Sequence, residues 1–325
     1  MNNLSHIIKP IEKEMKAFID LYKESLQGHS SDFQSIINHV LETDGKRIRP
    51  LLLLLTAKIC GNINQNTLSY ALVLELLHNA TLIHDDVVDD TKERRGKASI
   101  NAKYDNKTAV LVGDYILSIA IIKAVTIQNM QILNIISNLA LNLVEGELRQ
   151  LSNSADAIIN EARYFDIIRK KTAILLSSCT EMGALSAGAS VETVENFRLF
   201  GEYLGICFQI RDDLFDYFEQ GEIGKPTGND LREGKVTLPL IYALKHASDK
   251  KESDAILQII KKADFTAENI LLLIDFAKNN GGTDYALQKM AEYKQKAAGL
   301  IEKFPISNAK NSLLKLIDYV IERNK

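Results

Sequence analysis

The sequence predicts an all-α fold, a single helical bundle over residues 1–325 that surrounds a central cavity. Apolar residues recur at helical spacing through most of the chain, most clearly over 67–88. All five prolines can stand near helix starts or in loops, and no hairpin signature is present. An apolar fraction of 46% can supply a large core. The repeated pattern DDxxD then suggests what the cavity holds.

Composition excludes several classes of protein. A net charge of −3 gives no support to nucleic-acid binding. The three cysteines, Cys60, Cys179 and Cys207, are odd in number and widely spaced, as is typical of a reducing compartment without disulfides. Charged residues near the N-terminus interrupt any signal segment, and the apolar stretches 51–57 and 115–122 look too short to span a bilayer. We therefore expect a cytoplasmic protein with no transmembrane segment.

Three carboxylates, Asp85, Asp86 and Asp89, end the long apolar helix pattern. Asp85 and Asp89 are four residues apart and share a helix face, where like charges repel. The helix dipole also disfavours acidic groups at this end, so they are not caps. Carboxylate oxygens suit Mg²⁺, which keeps several waters and shares itself with phosphates. A lone cluster of this kind could equally be a solvated helix end.

The same pattern recurs at Asp212, Asp213 and Asp216, 127 residues further along. Two copies, each on an apolar helical segment, are harder to explain as surface charge. If they face each other across a cavity, they form a cage for several metal ions and a polyphosphate.

Cationic residues accompany both clusters. Lys46 and Arg49 precede an apolar helix, where side-chain donors combine with free backbone N–H groups to bind an anion. A plain charged loop before a buried helix is the alternative. Arg94 and Arg95 follow the first cluster, and this closeness fits either mutual neutralisation or a metal–phosphate clamp.

Lys171 and Thr172 interrupt an otherwise apolar helix, so the lysine either extends outward to solvent or reaches into a polar cavity. The stretch 220–235 is rich in glycine and carries Lys225 and Lys235. That composition is typical of a mobile lid, and a flexible connection is the alternative.

Taken together, these motifs resemble the trans-type isoprenyl diphosphate synthases. The residues within the motifs are most similar to those of bacterial long-chain synthases of the octaprenyl kind. The resemblance covers at least residues 44–239. The matching segments are Gly45-Lys46-Arg47-Ile48-Arg49-Pro50, His84-Asp85-Asp86-Val87-Val88-Asp89, Arg94-Arg95-Gly96, Gly113-Asp114-Tyr115, Lys171-Thr172, Gln209-Ile210-Arg211-Asp212-Asp213-Leu214-Phe215-Asp216 and Gly224-Lys225-Pro226.

The resemblance implies an isoprenoid synthase-type bundle that condenses an allylic diphosphate with isopentenyl diphosphate repeatedly, as a homodimer. It implies about three Mg²⁺ ions that assist ionisation of the allylic diphosphate. The implied metal ligands are Asp85, Asp89 and Asp212, with Asp86, Asp213 and Asp216 assisting. The implied binders of isopentenyl diphosphate are Lys46, Arg49, His78 and Arg95, and those of the allylic diphosphate are Arg94, Lys171, Lys225 and Lys235. By the same resemblance, Thr172 and Gln209 meet the developing cation.

Small side chains upstream of the first cluster bear on product length. Ala80 and Thr81 stand five and four residues before Asp85, where short-chain relatives commonly have an aromatic residue. We expect an open channel past Ala80 and Leu77 and a product of roughly seven to ten isoprene units. Transient membrane contact would then serve product release.

Several alternatives stay open. A short-chain farnesyl or geranylgeranyl diphosphate synthase is the nearest. Terpene cyclases share the fold, but their second metal site usually mixes other residues with Glu. A non-catalytic partner subunit would tend to have lost aspartates or lysines. A calcium-binding structural protein would need an EF-hand loop, which neither cluster has.

Overall fold

The computed structural model describes residues 4–27, 33–42, 45–150, 159–218 and 228–322. Almost all of these residues are helical, so the predicted all-α fold is confirmed. The helices are α1 (Leu4–Ile8), α2 (Glu12–Leu26), α3 (Gln34–Glu42), α4 (Ile48–Cys60), α5 (Gln65–Val88), α6 (Ile100–Lys103), α7 (Asn106–Thr126), α8 (Met130–Gln150), α9 (Glu161–Ile168), α10 (Ile174–Ser186), α11 (Val191–Phe215), α12 (Asn229–Arg232), α13 (Leu238–His246), α14 (Lys250–Lys261), α15 (Ala267–Asn279), α16 (Gly282–Glu302) and α17 (Asn308–Glu322).

Four shorter elements accompany these helices. A 3₁₀ turn covers Lys9–Ile11, and a π-helical turn covers Arg169–Ala173 between α9 and α10. The short strands β1 (Glu93–Arg94) and β2 (Lys97–Ala98) pair antiparallel just after the first aspartate cluster.

Packing divides the chain into two compact units. The first comprises Met1–Ala140, Leu176–Arg198 and Phe304–Leu316. The second comprises Leu141–Leu175, Leu199–Lys303 and Ile317–Lys325. One domain over 1–325 and a central cavity therefore stay predictions.

In the first unit, α5 packs against both α4 and α7. Residues 51–55 of α4 are completely buried leucines, as the apolar run predicts. Asn64 and Thr67 form a capping box that begins α5. At the other end of α5, His84 lies so close to Gly113 of α7 that a side chain there would collide with the imidazole. This close approach fixes the end of α5 that carries the aspartates.

In the second unit, two neighbouring cores position α11. One core surrounds Ile206, Ile210 and Leu214 of α11, and the other surrounds Tyr217 just beyond it. Gly205 of α11 leaves no room for a side chain beside Ala173, so the π-helical turn and α11 approach closely. The second aspartate cluster stands at the C-terminal end of α11, as the apolar pattern predicts.

Within the described residues, α7 is long and apolar enough to cross a membrane by length and composition. We expected the apolar stretch 115–122 to be too short to span a bilayer. That expectation is wrong for α7, the longer helix that contains this stretch. Asp114 and Lys123 do not interrupt the helix. Ile116 and Ala120 are buried, and buried core helices of soluble proteins meet the same criterion. The absence of a transmembrane segment stays a prediction.

Candidate active site

The first unit places its three aspartates in different surroundings. Asp85 is half-buried, Asp86 is buried, and Asp89 is exposed at the end of α5. Arg94 forms an ion pair with Asp86, in which Nε lies 2.9 Å from Oδ1 and Nη2 lies closer still. Of the two predicted roles for Arg94, mutual neutralisation with the aspartate cluster and a metal–phosphate clamp, the first describes its pair with Asp86. Asp85 lies on α5, and Asp89 caps its C-terminal end four residues later. Because neither is fully buried, these two carboxylates are the better candidates to bind a divalent cation.

A cationic pocket lies beside this cluster in the same unit. His78 is buried, and Lys46 is exposed. Burial holds the pKa of His78 well below its usual value, and the charges of Arg49, Arg95, Arg94 and Arg47 lower it further. The imidazole is therefore neutral at pH 7 and can donate an N–H without adding charge.

Arg49 is half-buried. Desolvation lowers the pKa of its guanidinium, and nearby Glu75 opposes that shift. Gly45 lies directly against the guanidinium of Arg95, where a side chain would collide with it. The first unit thus brings Arg49, His78 and Arg95 together, and four arginines surround one neutral imidazole. This arrangement suits a polyanion such as a diphosphate.

In the second unit, neutral donors hold the buried member of the cluster. Asp213 accepts hydrogen bonds from the Tyr164 hydroxyl at 2.6 Å and from Gln209 Nε2 at 2.8 Å. Asp216 accepts from the backbone N–H of Asp230. Burial, followed by the charge of Asp230, raises the pKa of Asp213 to about 8. Burial, followed by the charge of Asp216, raises the pKa of Asp230 to about 7.

These shifts show carboxylates crowded together with little compensating charge, which is the environment that a divalent cation would relieve. The described residues contain no group of three or more His, Cys, Asp or Glu side chains that could hold a metal ion by themselves. A metal bound here would therefore take ligands from water or substrate as well, as Mg²⁺ commonly does.

Lys171 and Thr172 lie on the π-helical turn, a feature found often at functional sites. Lys171 Nζ lies 2.5 Å from Glu147 Oε1 and 3.3 Å from Gln150 Oε1, so it is held in a polar setting rather than in solvent alone. Thr172 donates its hydroxyl to Gln209 Oε1 at 2.7 Å. The second unit thus joins Thr172 and Gln209 to the aspartate cluster through Asp213.

The structure describes only part of the predicted lid, residues 220–235. Lys225 and the stretch 219–227 lie outside the described residues. Lys235 is half-buried, with Nζ 2.5 Å from Glu233 Oε2, and its charge lowers the pKa of Asp230. Lys235 therefore lies near the second cluster.

The residues predicted to set product length belong to the first unit. Ala80 and Leu77 are buried, and Thr81 is half-buried with its hydroxyl donating to the carbonyl of His78 at 2.9 Å. Their role in an open channel stays a prediction.

Sequence reasoning missed three residues that contact the site. Glu75 interrupts the apolar pattern of α5 one turn before His78, and this interruption was the available signal. Asp230 stands in the glycine-rich stretch 220–235 with Glu222 and Glu233, and nothing in the sequence distinguishes it from them. Nothing in the sequence around Tyr164 predicts that its hydroxyl donates to Asp213.

The chain is similar to known prenyl diphosphate synthases. It is 36% identical to the octaprenyl diphosphate synthase of Haemophilus influenzae over 88% of this chain and 87% of that protein. The polyprenyl synthase of Caulobacter crescentus, solved with calcium and isoprenyl diphosphate, is 31% identical, with a TM-score of 0.90 over 99% of this chain and 98% of that one. The geranylgeranyl pyrophosphate synthase of Bacteroides thetaiotaomicron is 41% identical, with a TM-score of 0.85 over 99% and 100%.

A family model described as polyprenyl synthetase matches residues 30–274. The predicted resemblance and enzyme class are confirmed, and this family generally uses divalent metal. The chain therefore belongs to the polyprenyl synthetase family.

Proposed function

We propose that this protein is a trans-prenyltransferase that condenses an allylic diphosphate with isopentenyl diphosphate repeatedly, giving a long all-trans polyprenyl diphosphate. One observation carries the proposal: each unit ends an apolar helix in a DDxxD cluster with a cation of its own nearby, Arg94 beside Asp86 in the first unit and Lys235 beside Asp230 in the second. A reaction between two diphosphates needs this combination of acidic and basic groups.

Isopentenyl diphosphate binds Lys46, Arg49, His78 and Arg95. Arg49 is half-buried, and its partly desolvated charge attracts a phosphate more strongly than a fully solvated charge does. His78 adds a hydrogen bond from a neutral imidazole, which leaves the arginines to neutralise the anion.

Asp85, Asp89 and Asp212 would hold about three Mg²⁺ ions, with Asp86, Asp213 and Asp216 assisting. Such ions would supply positive charge to neutralise the departing diphosphate. The same allylic diphosphate is gripped by Arg94, Lys171, Lys225 and Lys235. Asp230 adds negative charge next to Asp216 and helps to attract the metal.

Thr172 and Gln209 stabilise the allylic cation with oxygen dipoles. Gln209 donates its amide N–H to Asp213, so its carbonyl oxygen must face Thr172. That orientation places two oxygens side by side and prevents the amide from presenting its N–H groups to a cation.

A long product is favoured by the small side chains at Ala80 and Thr81 and by the resemblance to an octaprenyl synthase. A geranylgeranyl product is the second candidate, because a synthase of that name has 41% identity to this chain.

The test is an incubation of purified protein with Mg²⁺, farnesyl diphosphate and excess labelled isopentenyl diphosphate, with products separated by length. We expect about seven to ten isoprene units. A product of four units would support the second candidate. A cyclic hydrocarbon or no turnover at all would overturn the prenyltransferase proposal.

A variant extends this test. We expect Ala80→Phe to shorten the product by several isoprene units, because the aromatic ring would close the channel. Thr81→Ser is the matched control and should leave product length unchanged. An Ala80→Phe protein that folds and still makes the full-length product would place the channel elsewhere.

We further propose a homodimer in the cytoplasm. One face of α7 exposes Val110, Leu111, Ile121, Ile122 and Val125, and a row of apolar side chains on a surface helix favours a protein partner. The three free cysteines fit a reducing compartment. Product release then involves brief membrane contact. Light scattering of the wild type and of a Leu111→Glu/Ile122→Glu variant tests the dimer.

A further inference from the structure

A buried ion pair links α5 to the turn that precedes α4. Arg47 Nη1 lies 2.8 Å from Glu75 Oε1, and the two side chains are only 10% and 5% exposed. Neither residue was predicted to bind substrate. The pair nevertheless stands beside Arg49 and His78, which the proposed function assigns to isopentenyl diphosphate.

Further contacts hold the Arg47 guanidinium in place. It stacks over the ring of Tyr22 from α2, with Cζ 4.2 Å from the ring centroid. Asn79 Nδ2 donates to the Tyr22 hydroxyl at 3.0 Å and to the Glu75 carbonyl at 2.9 Å. Arg47 is therefore fixed by α2 on one side and by α5 on the other.

The backbone at Arg47 is strained. Its φ of 51° and ψ of 37° are left-handed, a conformation that side chains with a Cβ rarely adopt. Arg47 is also the residue that caps α4, and its side chain makes no cap hydrogen bond. Such a conformation persists only where surrounding contacts hold it. The ion pair with Glu75 is one such contact.

Arg49 follows two residues later and depends on the same turn. Its side chain is half-buried, and its buried Nε has no hydrogen-bond partner within the described residues. Glu75 Oε2 is likewise buried and unpaired. Glu75 thus binds Arg47 with one oxygen and does not hydrogen-bond Arg49, which stays available for a phosphate.

We propose that Glu75 is a positioning residue for isopentenyl diphosphate: through Arg47 it holds the turn before α4, and so fixes where Arg49 meets the diphosphate. The inference rests on the proposed function of Arg49 and His78. Glu75 itself does not touch substrate, because a carboxylate would repel a diphosphate.

A different role for Glu75 predicts the opposite change in diphosphate binding when Glu75 is removed. If Glu75 only balances the buried positive charges, its removal makes the pocket more cationic and strengthens diphosphate binding. If Glu75 positions Arg47 through a hydrogen bond, its removal weakens binding. Charge and geometry can be separated, because glutamine keeps an acceptor for Arg47 and loses the charge, whereas alanine loses both.

The experiment measures KM for isopentenyl diphosphate, KM for the allylic diphosphate and kcat for Glu75→Gln and Glu75→Ala. We expect Glu75→Ala to raise KM for isopentenyl diphosphate about tenfold, Glu75→Gln to raise it about twofold, and KM for the allylic diphosphate to stay unchanged. Arg47→Ala should reproduce Glu75→Ala, and the double variant should be no worse than either. Glu14→Gln, a carboxylate in a loose surface pair with Lys58, is the matched control.

The outcomes are distinct. A lower KM, or equal effects of glutamine and alanine, would overturn the positioning role in favour of charge balance. Additive effects of the Arg47 and Glu75 changes would show that Glu75 does not act through Arg47. If Glu75→Ala fails to fold, Arg47→Lys gives the same test, with a selective rise in KM for isopentenyl diphosphate expected and equal rises for both substrates contradicting it. A wild type that does not elongate would instead refute the proposed function.

Discussion

The two aspartate clusters have the same sequence pattern, but their buried aspartates have different kinds of partner. In the first unit, buried Asp86 is neutralised by Arg94. In the second unit, buried Asp213 is held by a tyrosine hydroxyl and a glutamine amide, neither of which carries charge. Burial and the charge of Asp230 raise the pKa of Asp213, which makes no ion pair among the residues that the structure describes.

This difference teaches that one motif can serve two electrostatic purposes. The first cluster balances part of its charge within the protein. The second cluster crowds acidic groups with little compensating charge, which raises their pKa values, so it gains more from an added cation. We therefore expect the second cluster to depend more on bound metal for its stability, while both clusters are needed for the reaction.

The largest expected effect is on turnover. Asp85→Ala and Asp212→Ala should each lower kcat on the order of a thousandfold, because each removes a carboxylate proposed to hold the metal. Steady-state assays with saturating Mg²⁺ test this, with exposed Asp264→Asn as control. If one variant kept near-normal kcat while the other lost it, only one cluster would serve catalysis.

Two adjacent lysines sharpen the comparison within the second unit. Lys171 pairs with Glu147, and Lys170 pairs with Glu145, both at 2.5 Å. We expect Lys171→Ala to lower kcat/KM for the allylic diphosphate roughly a hundredfold, because it removes a charge-assisted contact to phosphate. Lys170→Ala should stay within about threefold of wild type. Equal losses would mean that both pairs only stabilise the helix.

The next effect separates the two buried aspartates by stability. Asp86→Asn should lower the free energy of unfolding by about 2 kcal/mol at pH 7, because it leaves Arg94 without its partner, and Arg94 is partly exposed. Asp213→Asn should not destabilise at pH 8. Asp213 has a raised pKa when folded, so the wild type loses stability as pH rises from about 4 to about 8, and asparagine abolishes that loss.

Urea unfolding at pH 5 and pH 8, with chelator present, measures both variants. If Asp213→Asn cost as much at pH 8 as Asp86→Asn, the proposed contrast between charged and neutral compensation would be wrong. Added Mg²⁺ should stabilise the wild type more than it stabilises Asp212→Ala.

The smallest expected effect belongs to His78 in the first unit. Its folded pKa lies well below 6.5, so the unfolded chain binds the proton first and stability falls as pH drops below about 6.5. The loss should reach roughly 1 to 2 kcal/mol by pH 5. His78→Gln should remove this component, whereas exposed His6→Gln should not. A pH profile unchanged in His78→Gln would show that burial and the neighbouring arginines do not lower the pKa of His78.

Much of the site could be predicted from spacing alone. Residues four apart share a helix face, so the sequence pairs Asp85 with Asp89 and Asp212 with Asp216. For Lys171 the sequence leaves two directions open, outward to solvent or into a polar cavity, and it does not predict the contacts with Glu147 and Gln150. The π-helical turn beneath it has no sequence signature.

By itself, the sequence determined the all-α class, the two acidic helix ends and the set of cations around them, because helical periodicity and local charge are properties of neighbouring residues. Tertiary structure alone decided which partner each group received. Asp86 pairs with an arginine eight residues away in the sequence, and Arg47 pairs with Glu75 across 28 residues. Asp213 accepts a hydrogen bond from a tyrosine 49 residues away. Such pairs depend on how helices pack, and packing fixes the distances on which charge and hydrogen bonding act.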